Sequence, residues 1–134
     1  MARRRVLVDT SLFIEHLRAR GKFSTPLHRL ATECQIETCA IVSGELYYGA
    51  RSAEMEKQVE SQLHSIPIHP YTASMAARMS AIVQELARRN KIQDLRDVMI
   101  AATALELQLP VATLNRAHFK QIAGLELEAL SNHG

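Results

Sequence analysis

The most constraining stretch of this chain is residues 97–109, which read D-V-M-I-A-A-T-A-L-E-L-Q-L. Taken as a helix, this stretch is apolar nearly all round, and such a helix is buried on more than one side. It must therefore pack among other elements of a sizeable core. The chain has 134 residues, which is enough for such a core without disulfides or structural metals. We expect residues 1–134 to form a single domain.

The rest of the chain alternates short apolar runs with helical patterns. The prolines fall at or near the ends of these segments, and Gly21 ends the first helix. The pattern predicts strands at 5–8, 35–41, 65–69, 110–113 and 125–130, and helices at 10–18, 53–63, 71–89 and 97–109, with further helices starting near 24–26, 43 and 115. This alternation predicts an α/β fold with a central, mainly parallel sheet and helices on both faces.

Three acidic residues fall where a site would form in such a sheet, outside the carboxyl ends of its strands. Asp9 directly follows the first strand, before Thr10 and Ser11, which offer an N-cap for the first helix. Glu45 falls in the first turn of a helix that Ser43 can cap, and Asp97 opens the buried helix. The sequence therefore brings three carboxylates toward one edge of the sheet.

A structural role competes with a functional one for each of these acids. A single carboxylate in a helix first turn stabilises the helix dipole by roughly 0.3–1 kcal/mol, and for any one acid alone this is the more common case. Three carboxylates that converge, however, repel one another unless a cation lies among them. Oxygen ligands of this kind suit Mg²⁺ or Mn²⁺, which activate water and stabilise a phosphoryl group under attack.

Composition excludes several other classes of protein. The net charge of +2 is too small for binding nucleic acid by charge alone, and an aromatic content of 4% provides no stacking platform for long single strands. Cys34 and Cys39 are expected to be reduced structural thiols, and no His or Cys spacing is typical of a zinc site. No apolar run reaches the roughly 20 residues of a membrane span, and the basic start lacks a signal-peptide core. We expect a cytoplasmic protein.

Four stretches of the chain, in order, give it a family resemblance. They read V-L-V-D-T-S-L-F-I (6–14), S-G-E-L-Y-Y-G-A (43–50), D-V-M-I-A-A-T-A-L (97–105) and V-A-T-L-N-R-A-H-F-K-Q-I-A-G-L-E-L (111–127). Together they make the chain similar to the PIN-domain family, specifically to the VapC-type toxins of toxin–antitoxin pairs. The resemblance implies a PIN-like fold and a metal-dependent endoribonuclease that hydrolyses RNA phosphodiester bonds.

The resemblance also assigns roles to individual residues. Asp9, Glu45 and Asp97 match the acids that bind Mg²⁺ or Mn²⁺ in the family. Thr10 or Ser11, together with Thr113, match the hydroxyl residues that help to order the attacking water. The resemblance thus predicts an acidic metal site whose hydroxyl groups lie beside it.

One departure from the family pattern affects the number of metals. Many relatives carry a fourth acid two or five residues after the Thr of the last motif, where this chain has Asn115 and His118. Asp94 could replace it, or could cap the helix that Asp97 opens. We therefore expect one tightly held metal ion and assign Asn115 to orienting water or substrate. The nearby cations Arg116 and Lys120 are candidate RNA contacts.

The family also implies partners, and two other functions remain open. The implied partners are a VapB-like antitoxin and RNA, in a homodimer or a toxin–antitoxin hetero-oligomer. One alternative is an aspartyl phosphotransfer enzyme, although that chemistry usually has a second Asp where Ser11 stands. The other is a PIN-like module that binds RNA or protein without catalysis, which the three retained acids disfavour.

Overall fold

The structure is a computed structural model that describes residues 3–130; residues 1–2, at the start of the basic segment, and residues 131–134 lie outside it. Strands and helices alternate throughout the described range. In chain order they are β1 (Arg4–Val8), α1 (Thr10–Arg18), a 3₁₀ turn (Lys22–Ser24), α2 (Pro26–Glu33), β2 (Cys34–Cys39), α3 (Ala40–Gly49), α4 (Ala53–Leu63), β3 (Ile68–His69), α5 (Ala73–Arg88), α6 (Leu95–Leu107), β4 (Val111–Ala112) and α7 (Arg116–Lys120).

The strands form one sheet in the order β3-β2-β1-β4, and each of these pairings is parallel. In the central strand β1, Val6, Leu7 and Val8 have no exposed surface. Because successive strand residues point to opposite faces, helices must cover both sides of the sheet. The predicted α/β fold with a parallel sheet is confirmed.

Helix α6 is buried as its composition predicts. Its Val98, Ile100 and Ala101–Ala104 are buried, and the helix packs against α5 on one side and contacts α3 and α7 elsewhere. Despite this apolar helix, the described part of the chain has no helix with the length and hydropathy to cross a membrane. Burial of α6 fixes the position of the acid in its first turn, Asp97.

A network around the buried carboxylate of Glu37 links three strands. The carboxylate of Glu37 in β2 is 1% exposed and accepts hydrogen bonds from both Nε and Nη2 of Arg5 in β1, at 2.6 and 2.9 Å. Nε2 of His69 in β3 lies 2.6 Å from the same carboxylate, and Gln35 donates to it at 2.9 Å. The hydrogen bonds from Arg5 hold the pKa of Glu37 at about 2, against the opposite effect of burial.

The first helix begins differently from the capping prediction. Its N-cap residue is Asp9, whose carboxylate accepts a hydrogen bond from the backbone N–H of Ser11. Thr10 and Ser11 lie inside the helix, so the prediction that they cap it is wrong. Asp is as good an N-cap residue as Ser, and Asp9 is the last residue with extended backbone before helix α1.

Strand β2 ends two residues earlier than predicted, and this changes the position of Glu45. The pairing of β2 with β3 stops at Cys39, and α3 starts at Ala40. Ser43 therefore lies within the helix and donates to the carbonyl of Ala40 at 3.0 Å instead of capping it. Glu45 is in the second turn of α3, not the first.

The outer strands are shorter than predicted. Pro67 and Pro110 lack an N–H and contribute only carbonyls to the ladder, so β3 and β4 have two residues each. The predicted strand at 125–130 is wrong: within the described residues it is reduced to a single bridge between Leu127 and Val111.

Both cysteines are buried and free, as expected of reduced structural thiols. Burial raises the pKa of the Cys39 thiol to about 11. This thiol therefore stays protonated at neutral pH and is a poor nucleophile.

Candidate active site at the carboxyl edge of the sheet

Asp9 is the most firmly held acid of the site. It is 3% exposed at the end of β1, and its second carboxylate oxygen accepts a hydrogen bond from the hydroxyl of Thr113, which is fully buried after β4. Thr113 Oγ1 also accepts from the backbone N–H of Asn115 at 2.9 Å. Two neighbouring strand ends therefore fix the orientation of this carboxylate.

Glu45 reaches the same region from α3. Its Oε1 accepts a hydrogen bond of 2.8 Å from the hydroxyl of Thr10, the residue after Asp9. Its Oε2 lies 3.5 Å from Nη1 of Arg96. The Thr10 hydroxyl thus links the second acid to the start of α1.

Asp97 lies in the first turn of α6, and its Oδ2 is 3.1 Å from Nδ1 of His118. Burial raises the pKa of Asp97, and the nearby charges of Asp9 and Asp94 act in the same direction. The hydrogen bond with His118 opposes them. A carboxyl whose charge is unfavourable in this way gains from a nearby cation.

One cavity of about 650 Å³ is lined by all three acids. Thr10, Ser11 and Asn115, predicted to orient water or substrate, line it as well, and the remaining wall includes Ile14, Glu15 and Arg18 of α1. Thr113 is not part of this lining and acts on the site through Asp9. The structure therefore brings the predicted acids and three of the four predicted orienting residues to one cavity.

Asp94 caps α6 and does not line the cavity. It is the N-cap residue of α6 and accepts from the backbone N–H of Arg96 at 2.8 Å. The guanidinium of Arg96 also donates to both of its carboxylate oxygens, at 3.2 and 2.9 Å. These contacts with Arg96 lower the pKa of Asp94. The capping interpretation of Asp94 is confirmed.

The two predicted RNA-contact residues do not line the cavity. Arg116 donates to the backbone carbonyl of Glu128 at 2.8 Å, and Lys120 lies at the end of α7. Their contact with RNA stays a prediction. The cation that does line the cavity, Arg18, was missed, although its spacing from Ser11 and Ile14 places the three on one helix face.

The donor chemistry of the cavity fits a divalent cation such as Mg²⁺ or Mn²⁺. Asp9, Glu45 and Asp97 supply oxygen ligands, and the burial of Asp97 favours neutralisation of its charge. Among residues 3–130, no three Asp, Glu, His or Cys side chains are grouped closely enough to hold a metal ion as they stand. Instead, the carboxylate of Glu45 lies beside the guanidinium of Arg96, and that of Asp97 lies beside the imidazole of His118.

Comparisons with known proteins give one consistent result. A family model described as PIN domain matches residues 6–125. The chain is 31% identical over 121 residues to Ribonuclease VapC10 of Mycobacterium tuberculosis (strain CDC 1551 / Oshkosh), covering 90% of each chain. A solved toxin–antitoxin complex from Klebsiella pneumoniae contains a chain 26% identical to this one, with a TM-score of 0.70 and coverage of 90% of this chain and 94% of that one. The structure of VapBC-1 from nontypeable Haemophilus influenzae shares the fold at 18% identity, with a TM-score of 0.78 over 92% of this chain and 96% of that one.

Proposed function

The chain belongs to the PIN domain family, as a relative of the VapC ribonucleases, and we propose that it is an endoribonuclease that hydrolyses RNA with Mg²⁺ or Mn²⁺ held by Asp9, Glu45 and Asp97. The observation that carries the proposal is the single cavity lined by these three carboxylates at the carboxyl edge of a parallel sheet. Each acid comes from a different element, so the fold itself assembles the anionic site.

A divalent cation at such a site supplies charge stabilisation for the phosphoryl group and a water molecule of lowered pKa. The residues of the chain orient the groups that would hold it. Thr113 and the N–H of Ser11 each occupy one oxygen of Asp9, and Thr10 fixes one oxygen of Glu45. Asn115, which lines the cavity, has an amide that can position water or the substrate phosphate.

The two alternative functions fit the site less well. An aspartyl phosphotransfer enzyme usually has a second Asp two residues after its nucleophile, where this chain has Ser11. A binding module without catalysis has no need for three carboxylates in one cavity, because their mutual repulsion costs stability. Hydrolysis at a cation site is consistent with both the Ser11 position and the three acids.

We also propose the partners that the relatives suggest. The similar chain from Klebsiella pneumoniae was solved in a toxin–antitoxin complex, and a VapB-like antitoxin is the partner we assign to this chain. The assembly we propose is a homodimer or a toxin–antitoxin hetero-oligomer. Residues 1–134 form one PIN domain in this proposal, and the free thiols Cys34 and Cys39 agree with a cytoplasmic location.

A circular RNA, which has no ends, tests the endonuclease directly. We expect the purified chain to linearise it with Mg²⁺ or Mn²⁺, and to stop when EDTA is added. The same preparation should not release phosphate from a small aryl phosphate ester, the substrate expected for a phosphotransfer enzyme. Intact circles with every divalent cation tested, or equal cleavage in EDTA, would contradict the proposal.

A further inference from the structure

One face of α1 extends the active-site cavity away from the acids. Ser11, Ile14, Glu15 and Arg18 follow one another at the spacing of a single helix face, and all four line the cavity that contains Asp9. From Asp9 to Arg18 the helix rises by roughly 13 Å, because each residue adds about 1.5 Å. Since long helical side chains lean toward the helix N-terminus, Arg18 reaches back along this face toward the acids.

Arg18 is a cation without a partner in the described part of the chain. Its side chain is exposed and forms no ion pair or hydrogen bond with residues 3–130, in contrast to Arg96 and Arg116. An unpaired guanidinium that lines this cavity suits a phosphate, to which it can donate two parallel hydrogen bonds.

We propose that this face of α1 is a subsite for the nucleotides next to the scissile bond, with Arg18 binding a neighbouring phosphate. This inference rests on the proposed function, because the scissile phosphate must lie at the acids. The rise of α1 separates the phosphate at Arg18 from the cleaved one, so the subsite positions a substrate that extends beyond the cleavage site.

Steady-state cleavage of oligoribonucleotides by Arg18→Gln tests the phosphate contact. We expect KM for a substrate extended beyond the cleavage site to rise roughly fivefold to tenfold, with kcat nearly unchanged. The slope of log KM against log salt concentration should fall by about 0.7, the value for one phosphate contact on a single strand. For a substrate truncated to the two nucleotides that flank the bond, wild type and variant should not differ.

Arg20→Gln is the matched control, since Arg20 is also exposed but does not line the cavity. We expect its KM and salt slope to equal those of the wild type. If wild type cleaves RNA and Arg18→Gln leaves both quantities unchanged, the subsite is refuted while the ribonuclease proposal stands. Weaker binding of the antitoxin alone, at unchanged KM, would also refute it and assign Arg18 to the protein partner.

Discussion

Asp97→Asn is expected to lower kcat/KM for RNA cleavage by roughly a thousandfold or more. The cation that the carboxylate helps to hold contributes several kcal/mol of transition-state stabilisation, and each 1.36 kcal/mol corresponds to about a tenfold change in rate. The fold should persist, because burial already disfavours the charge of Asp97. Cleavage rates and thermal unfolding of the purified variant check both expectations.

Asp94→Asn is the matched control for this prediction. Asp94 lies three residues before Asp97 at the start of the same helix, and Asn is an equally good N-cap residue. Because Asp94 is paired with Arg96 and does not line the cavity, we expect the control to retain most of the activity. If both variants lost activity equally, the loss would come from removing a negative charge near the site and not from removing a metal ligand.

Glu37→Gln is expected to lower the free energy of unfolding by about 2 kcal/mol, the magnitude of hydrogen bonds to a charged group. The partner Arg5 is half-exposed, so water compensates its charge in part. Gln keeps one acceptor oxygen, so Arg5 keeps at most one of its two hydrogen bonds to position 37, and His69 loses its carboxylate partner. Denaturant unfolding at pH 7 measures the difference, and Glu60→Gln on the exposed face of α4 should change it by less than about 0.5 kcal/mol.

The difference in unfolding free energy between wild type and Glu37→Gln should also depend on pH. The pKa of Glu37 is lowered in the folded state, from 4.5 to about 2. The stabilisation is therefore complete above the unfolded value and is lost as pH falls toward about 2. The gap between wild type and Glu37→Gln should narrow steadily below about pH 4.5. A gap that stayed constant down to pH 2 would show that Glu37 contributes through packing and not through charge.

The parts of the fold that could be predicted are those set by local pattern. The buried strand before Asp9 and the apolar helix at Asp97 follow from residue type alone, and parallel connectivity brings their ends to one edge. The start of α3 could not be predicted, because it depends on where pairing between β2 and β3 ends. For the same reason the expected strand at 125–130 is wrong, since edge pairing is decided by tertiary contacts.

In the candidate site, too, local sequence predicts some residues, whereas contacts between distant parts of the chain could not be predicted. Family motifs point to the acids and hydroxyl residues, but not to the partners that hold them in the fold. The contact of His118 with Asp97, for example, joins positions 21 residues apart. Arg18 belongs to no family motif. It is distinguished by its place on the cavity-lining face of α1, whereas Arg116 donates a hydrogen bond to a backbone carbonyl.

Calorimetric titration with Mn²⁺ in the absence of RNA tests the central claim, that Asp9, Glu45 and Asp97 together hold a divalent cation. We predict one tight equivalent per chain for the wild type and for Asp94→Asn, since Asn115 and His118 supply no fourth acid. Asp97→Asn should lose this binding while remaining folded. Mn²⁺ binding by Asp97→Asn that equals the wild type, or a folded wild type that binds none, would contradict the account.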